Sequence, residues 1–334
     1  MKFHYEFDIK KLEKPIDHHH RLLLMGSCFT ENIGEKLKRH KFSVLENPNG
    51  ILFNPVSVAE AITDYIEKKE FTERDLFTLN DGWHSWKHHS RFSALSIAEA
   101  LDKINTSTKA AHQYLKQADY IVLTLGSAWT YVLSEKAVGN RQGSVAANNH
   151  KAPSDWFNRK LLTVEDVLKV LDNLIHRLFH FNPQLQIIFT ISPVRHLREG
   201  VVENNRSKAV LIQAVHHLVD KFDKLYYFPS YELVIDDLRD YRFYAEDLVH
   251  PNYHATQYVW EKLTQACMSE KTRNLLNEIH AINLAFQHKP FNPSSAQHQQ
   301  FLKTVLDKTN TLQQRFPYLD FSKEIQFFEN GIIS

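Results

Sequence analysis

Two short segments carry residue types that could do acyl chemistry. Gly26-Ser27-Cys28-Phe29-Thr30 follows the apolar run Arg21 to Met25 and precedes a helical stretch from Glu31 to His40. A serine on a tight strand-to-helix turn can present its hydroxyl at the top edge of a sheet, beside a helix N-terminus that favours negative charge. Taken alone, a serine before a helix is more often an N-cap. The second segment is Asp247-Leu248-Val249-His250-Pro251-Asn252, ahead of a helical stretch from Ala255 to Met268. Three-residue spacing lets Asp247 hold one nitrogen of His250 while the other faces a nucleophile. By itself this is as readily a solvated loop. Together the two segments supply a nucleophile, a base and an orienting acid.

Positioning them requires a sheet whose strand ends meet. Short apolar runs at Arg21 to Met25, Tyr120 to Leu125, Gln186 to Ile191 and Lys224 to Phe228 read as strands, with Phe42 to Leu45 a weaker fifth. Helical periodicity covers 58–69, 97–115, 163–181 and 207–222. Strand alternating with helix predicts a doubly wound, mostly parallel α/β sheet. Ligands of such a sheet sit beyond the carboxyl ends of its strands. That directs attention to Ser27, Gly50, Gly126, Ser127, Arg195 and His196. Beyond about residue 270 the pattern turns helical and polar, broken by Lys289-Pro290-Phe291-Asn292-Pro293-Ser294-Ser295. The expected division is therefore 1–270 for the main domain and 271–334 for a helical extension packed on it.

Composition excludes more than it selects. Forty Lys and Arg against 39 Asp and Glu leave a net charge of +1, which gives no reason to expect a nucleic acid or membrane partner. Two cysteines without metal or disulfide spacing, and the absence of a signal peptide or an apolar run of membrane-spanning length, point to a soluble, cytoplasmic protein. His84, His88 and His89 have no companion carboxylate motif, so no metal is expected. Glycine is scarce at nine residues, while histidine reaches 20. Gly26, Gly50 and Gly126 all fall just after or near candidate strand ends, where backbone must turn or approach closely.

Gly26-Ser27-Cys28-Phe29 and Asn47-Pro48-Asn49-Gly50-Ile51-Leu52-Phe53-Asn54-Pro55 together resemble the GSCFA family, related to the SGNH (GDSL-like) hydrolases. Thr124 to Trp129, Asn149-His150-Lys151, Ser192 to His196 and Tyr241 to Asp247 extend the likeness over roughly residues 20–265. The resemblance implies a flavodoxin-like three-layer α/β/α fold of SGNH hydrolase type. It also implies esterase chemistry with Ser27 as nucleophile and Asp247 and His250 completing the triad. Backbone N–H groups of Ser27 and Gly50 are the expected oxyanion donors. The asparagine that SGNH enzymes carry after the third strand is missing here, and Ser127 or Asn149 are the candidates to replace it. Asn54, Gly126, His150, Arg195 and His196 are the expected pocket residues.

Only one of the adjacent residues Ser27 and Cys28 can address His250, and the resemblance selects Ser27. Cys28 reads as packing. Glu203, Arg206 and Lys208 read as a solvated helix start. The expected function is hydrolysis of a small acyl ester, acetyl or another short acyl group on a carbohydrate or similar alcohol, without a cofactor. The alternatives are a binding or scaffold protein that has lost efficient catalysis, and an O-acyltransferase using the same triad.

Overall fold

From the N-terminus the chain forms β1 (Arg21–Gly26), α1 (Cys28–Arg39), β2 (Ser43–Glu46) and α2 (Pro55–Ile66). A ribbon of β3 (Phe77–Leu79) and β4 (Gly82–His84) precedes α3 (Ile97–Lys116) and β5 (Tyr120–Leu125). A second ribbon, β6 (Trp129–Leu133) with β7 (Phe157–Leu161), leads into α4 (Val164–Phe181) and β8 (Gln186–Ile191). Helix α5 (Val201–Lys221), β9 (Leu225–Tyr227) and the short α6 (Ser230–Glu232) follow, the last running into a π-helical turn at Leu233–Leu238. Four helices end the chain: α7 (Tyr253–Cys267), α8 (Glu270–Gln287), α9 (Ala296–Arg315) and α10 (Ser322–Gly331). This is a computed structural model, and it describes residues 5–332.

β1, β2, β5, β8 and β9 make one parallel sheet in the order β2-β1-β5-β8-β9. Alternate strand residues face opposite layers. Leu23, Met25, Ile121, Leu123, Ile187 and Phe189 pack against α2, α3, α4 and α5, whereas Leu22, Leu24, Tyr120 and Ile188 pack under α1 and α7. Burial on both faces is why these strands read as unbroken apolar runs. Full burial of one leucine contributes roughly 1.5–3 kcal/mol, so the sheet is also where most of the apolar stabilisation collects. The architecture is the three-layer α/β/α fold.

Helices α8, α9 and α10 bury Leu275, Ile279, Leu302, Leu312, Phe321 and Phe328 in a cluster of their own. They are tied to the rest by Lys41 Nζ on Glu324 Oε1 at 2.7 Å and by Asn283 Nδ2 donating to Arg39 O at 2.7 Å. Among the described residues no helix is long and apolar enough to cross a membrane.

Two features depart from the sequence expectation. The ribbons β3–β4 and β6–β7 are additional, and α5 begins at Val201 instead of near Ser207. Its first turns are polar, which masks the helical period, and the chain enters it through Gly200 at φ +93°.

The strand order reverses between β1 and β5, which is where a doubly wound sheet opens its ligand crevice. Gly26 makes that junction. Its φ is +138°, and a Cβ there would lie 2.1 Å from Thr124 O. The close approach lets Ser27 N–H donate to Thr124 O at 3.2 Å, while Gly26 N–H donates to Asn47 Oδ1 at 2.9 Å. Gly26→Ala therefore combines an unfavourable φ with a backbone clash and should cost about 3 kcal/mol. The measurement is the urea unfolding midpoint; a change below about 0.5 kcal/mol would contradict the geometry.

Candidate active site

Ser27 ends β1 as the N-cap residue of α1 and is completely buried, at 0% exposure. It makes no side-chain cap hydrogen bond. Its hydroxyl instead donates to Ser192 Oγ at 3.0 Å. Ser192 follows β8, two strands away, and also accepts the Val194 N–H at 3.3 Å. The neighbouring Cys28 thiol is pushed up by burial and stays protonated. Cys28 packs against the apolar layer under α1.

Asp247 and His250 are brought together by their own loop. Asp247 Oδ1 accepts the N–H groups of Val249 and His250 at 2.9 and 3.0 Å, and Oδ2 meets His250 Nδ1 at 2.7 Å. Leu248 between them takes φ +56°, the turn these bonds require. The backbone N–H of His250, followed by its ring, holds the Asp247 carboxyl down to about 2. An ionised Asp247 fixes the hydrogen on Nδ1 and leaves Nε2 as the acceptor. His250 is half-exposed. No hydrogen bond joins it to Ser27 in this arrangement, in which Ser27 faces Ser192.

One loop spans the two halves. Four residues along from Ser192, it carries His196, and between them Arg195 N–H donates to Val249 O at 3.2 Å while Arg195 Nη1 donates to Leu248 O at 3.3 Å. The Arg195 guanidinium lies 4.2 Å from the Tyr244 ring centre. Arg195, expected in the pocket, thus holds the Asp247–His250 loop by carbonyls and aromatic faces. His196 is anchored by Asn204 Oδ1 on its N–H at 2.9 Å and rests edge-on against Phe53. Its Nε2 is buried without a partner, 3.2 Å from where a Gly126 Cβ would stand. Burial, with Lys208 nearby, lowers this imidazole to about 4, so it is neutral at physiological pH. Gly126 is the residue whose missing side chain leaves that space.

Several expected site residues have other partners. Gly50 N–H closes a turn on Asn47 O at 2.7 Å, and Ser27 N–H is on Thr124 O, so both backbone donors named from the family likeness are engaged. Ser127 Oγ accepts the Trp129 N–H at 3.0 Å and lies against Ser207 Oγ at 3.3 Å. Asn149 lines a separate cavity of about 190 Å³ with Tyr131, Arg159 and Arg198. Asn54 caps α2 through Ser57 N–H at 2.8 Å. His150 Nε2 donates to Ser85 O, 2.9 Å away, and the ring packs on Phe77, His84 and Trp86. Asn54 thus uses both side-chain polar atoms on Ser57, whereas His150 keeps a buried Nδ1 without a partner. His84 is bonded to Ser93 Oγ and Leu79 O, and no metal-type cluster forms among the described residues.

The sequence reading passed over two residues. Ser192 accepts the Ser27 hydroxyl, and Lys208 is not solvated but buried at 1% exposure, its Nζ donating to Gly126 O and Ser192 O at 2.7 Å each. The available signal was spacing: Asn204, Ser207, Lys208 and Leu211 fall on one helical face, and all four are buried.

The fold and these strand-end residues define a doubly wound α/β protein with a serine at the switch point of its sheet. The chain belongs to the GSCFA family, whose model matches residues 21–263. Residues 279–334 match the C-terminal domain of GSCFA domain proteins. Among solved structures it is similar to a Streptococcus pneumonia protein named for platelet activating factor, at 14% identity and TM-score 0.39, covering 74% of this chain and 83% of that one. It is also similar to an acetyl xylan esterase from the rumen bacterium Butyrivibrio proteoclasticus, at 13% identity and TM-score 0.39, covering 79% of this chain and 66% of that one. No curated protein matches the chain.

Burial of Lys208 lowers its ammonium from 10.5 to about 7. Between those values the unfolded chain binds a proton that the folded chain does not, so folding stability gains with rising pH across this window. Lys208→Met removes that contribution. Urea unfolding of both proteins from pH 7 to 10 should show the wild type gaining relative to the variant; parallel curves would contradict the buried amine.

Proposed function

We propose that this protein is a serine hydrolase that cleaves a small acyl ester, acetyl or another short acyl group carried on a carbohydrate or similar alcohol. The observation that carries this reading is the loop from Ser192 to His196, which touches Ser27 at one end and the backbone beside His250 at the other. Nucleophile and Asp–His pair are therefore neighbours of one short segment. In the reaction the Ser27 hydroxyl turns from Ser192 to His250 Nε2, gives up its proton and attacks the acyl carbonyl. The proton passes from His250 to the leaving alcohol, and water, activated by the same imidazole, resolves the acyl-enzyme. Asp247 keeps the histidine tautomer throughout. The oxyanion donor this reading favours is His196 Nε2, neutral and without a partner, supplemented by the Ser27 N–H once the substrate competes with Thr124 O. This is SGNH-type chemistry on residues 1–270 in a cytoplasmic setting, with 271–334 as a helical extension.

A second reading has an observation of its own. Ser27 is fully buried with its hydroxyl and N–H both engaged, as in a binding or scaffold protein that keeps the pocket without efficient turnover. Transfer of the acyl group to a sugar hydroxyl uses the same residues and differs only in the acceptor.

Purified protein assayed on short-chain aryl esters separates these. The hydrolase reading expects serine-dependent turnover abolished in Ser27→Ala, with covalent labelling by an organophosphonate at Ser27 alone. Absence of both in the wild type supports the scaffold. Asp247→Asn should lower kcat by roughly 10⁴-fold, the scale of tautomer loss in a serine triad, with KM little changed. Retention of full kcat would remove Asp247 from the mechanism. A kcat that rises with added sugar acceptor, with acyl-sugar as product, marks the transferase.

A further inference from the structure

Helix α5 turns an unusual face toward the sheet edge. Asn204, Ser207 and Lys208 are all buried, and between them they end on the backbone of the two loops that follow β5 and β8. Asn204 Oδ1 holds His196 N–H at 2.9 Å, Ser207 Oγ holds Ala128 N–H at 2.7 Å, and Lys208 Nζ reaches Gly126 O and Ser192 O together. No carboxylate bonds Lys208 among the described residues, and the Tyr231 ring centre lies 5.8 Å from Nζ. An ammonium desolvated without a counter-ion is costly, and a methionine of similar length would fill the same space without that cost. What the lysine supplies and methionine cannot is a charge and two donors at the end of β5 and β8.

We propose that Lys208 is a positioning residue of the site: it joins the ends of β5 and β8 through their carbonyls, seats Ser192 against Ser27, and sets a positive charge behind the developing oxyanion. The inference rests on the serine reading above. Lys208 acts through Ser192 and through its field, not by touching the substrate. The groups that face it are few. From α1 comes the Cys28 thiol, kept protonated by burial; from the loop after β8 comes His196, neutral near pH 7, with His250 beyond it; from α6 comes the Tyr231 phenol, pushed up by burial. None is an anion at neutral pH. The charge on Lys208 is thus unopposed, and it is lost as pH rises through about 7.

The test uses the full chain and the rate at which an aryl phosphonate labels Ser27 between pH 6 and 9. The wild-type rate divided by the Lys208→Met rate cancels the pH dependence that the two proteins share. It should exceed about tenfold at pH 6, below the roughly 10²–10³-fold lost with a donor that touches the oxyanion because Lys208 acts from behind it, and fall toward one by pH 9. Lys208→Arg keeps its charge throughout, so its rate relative to wild type should climb over the same interval. A Lys208→Met rate within twofold of wild type at every pH overturns the proposal and leaves the serine reading intact. If Lys208→Met does not fold, a pH-independent Arg-to-wild-type ratio overturns it equally. No labelling of wild-type Ser27 at any pH is the distinct result that removes the serine reading and this inference with it.

Discussion

The close approach of β1 and β5 at Gly26 is the constraint on which the site depends. Parallel strands end in backbone that must turn without a sheet partner, and here two such ends pass within contact of each other because one residue has no side chain. Asn47 Oδ1 and Thr124 O take the two N–H groups that the turn frees. A buried N–H left unpaired would cost on the order of 1–3 kcal/mol, so the turn and its acceptors form one unit. Ser27 inherits its position from that unit, and Asn47, just past the adjacent strand β2, is as much a part of it as Gly26.

The opposite side of the crevice is built by side chains. Loops after β5 and β8 would be mobile if only their ends were fixed, since loops carry few contacts of their own. Helix α5 removes that freedom by sending polar groups from its first turns to their backbone. Arg195 then passes the constraint on to the Asp247–His250 loop through two carbonyls. The result is a site in which backbone carbonyls, not side-chain carboxylates, receive the cationic groups.

What could be read in the sequence follows from how local each feature is. Strands buried on both faces announce themselves as apolar runs, so Tyr120–Leu125 and Gln186–Ile191 were legible to the residue. Asp247 and His250 were legible as a pair because three residues and one turn suffice to join them. Ser192 and Lys208 were not, since a serine after a strand and a lysine in a polar helix start have ordinary surroundings in sequence. Their partners are 165 and 16 residues distant. The oxyanion donors expected of Gly50, Ser127 and Asn149 were inferred from family likeness; Gly50 N–H and Ser127 Oγ have nearer partners, and Asn149 lines a separate cavity. The β6–β7 ribbon escaped notice although Trp129-Thr130-Tyr131-Val132-Leu133 is rich in strand-forming residues, because its pairing strand, Phe157 to Leu161, is mostly polar and exposed.

The register of β1 on β5 carries a consequence for how the molecule is made. Leu22 pairs with Tyr120 and Gly26 with Thr124, so the first strand, which finds β2 close by, has to wait for its second neighbour nearly a hundred residues further along. Contacts of such high sequence separation form slowly, because the intervening chain must be ordered before they yield anything. During synthesis Ser27 emerges early, but Ser192, Lys208 and His250 follow only after most of the sheet has been translated. Ser27 therefore spends the growth of the chain beside a strand edge still waiting for β5, and the crevice around it is one of the last features of the folding molecule to form.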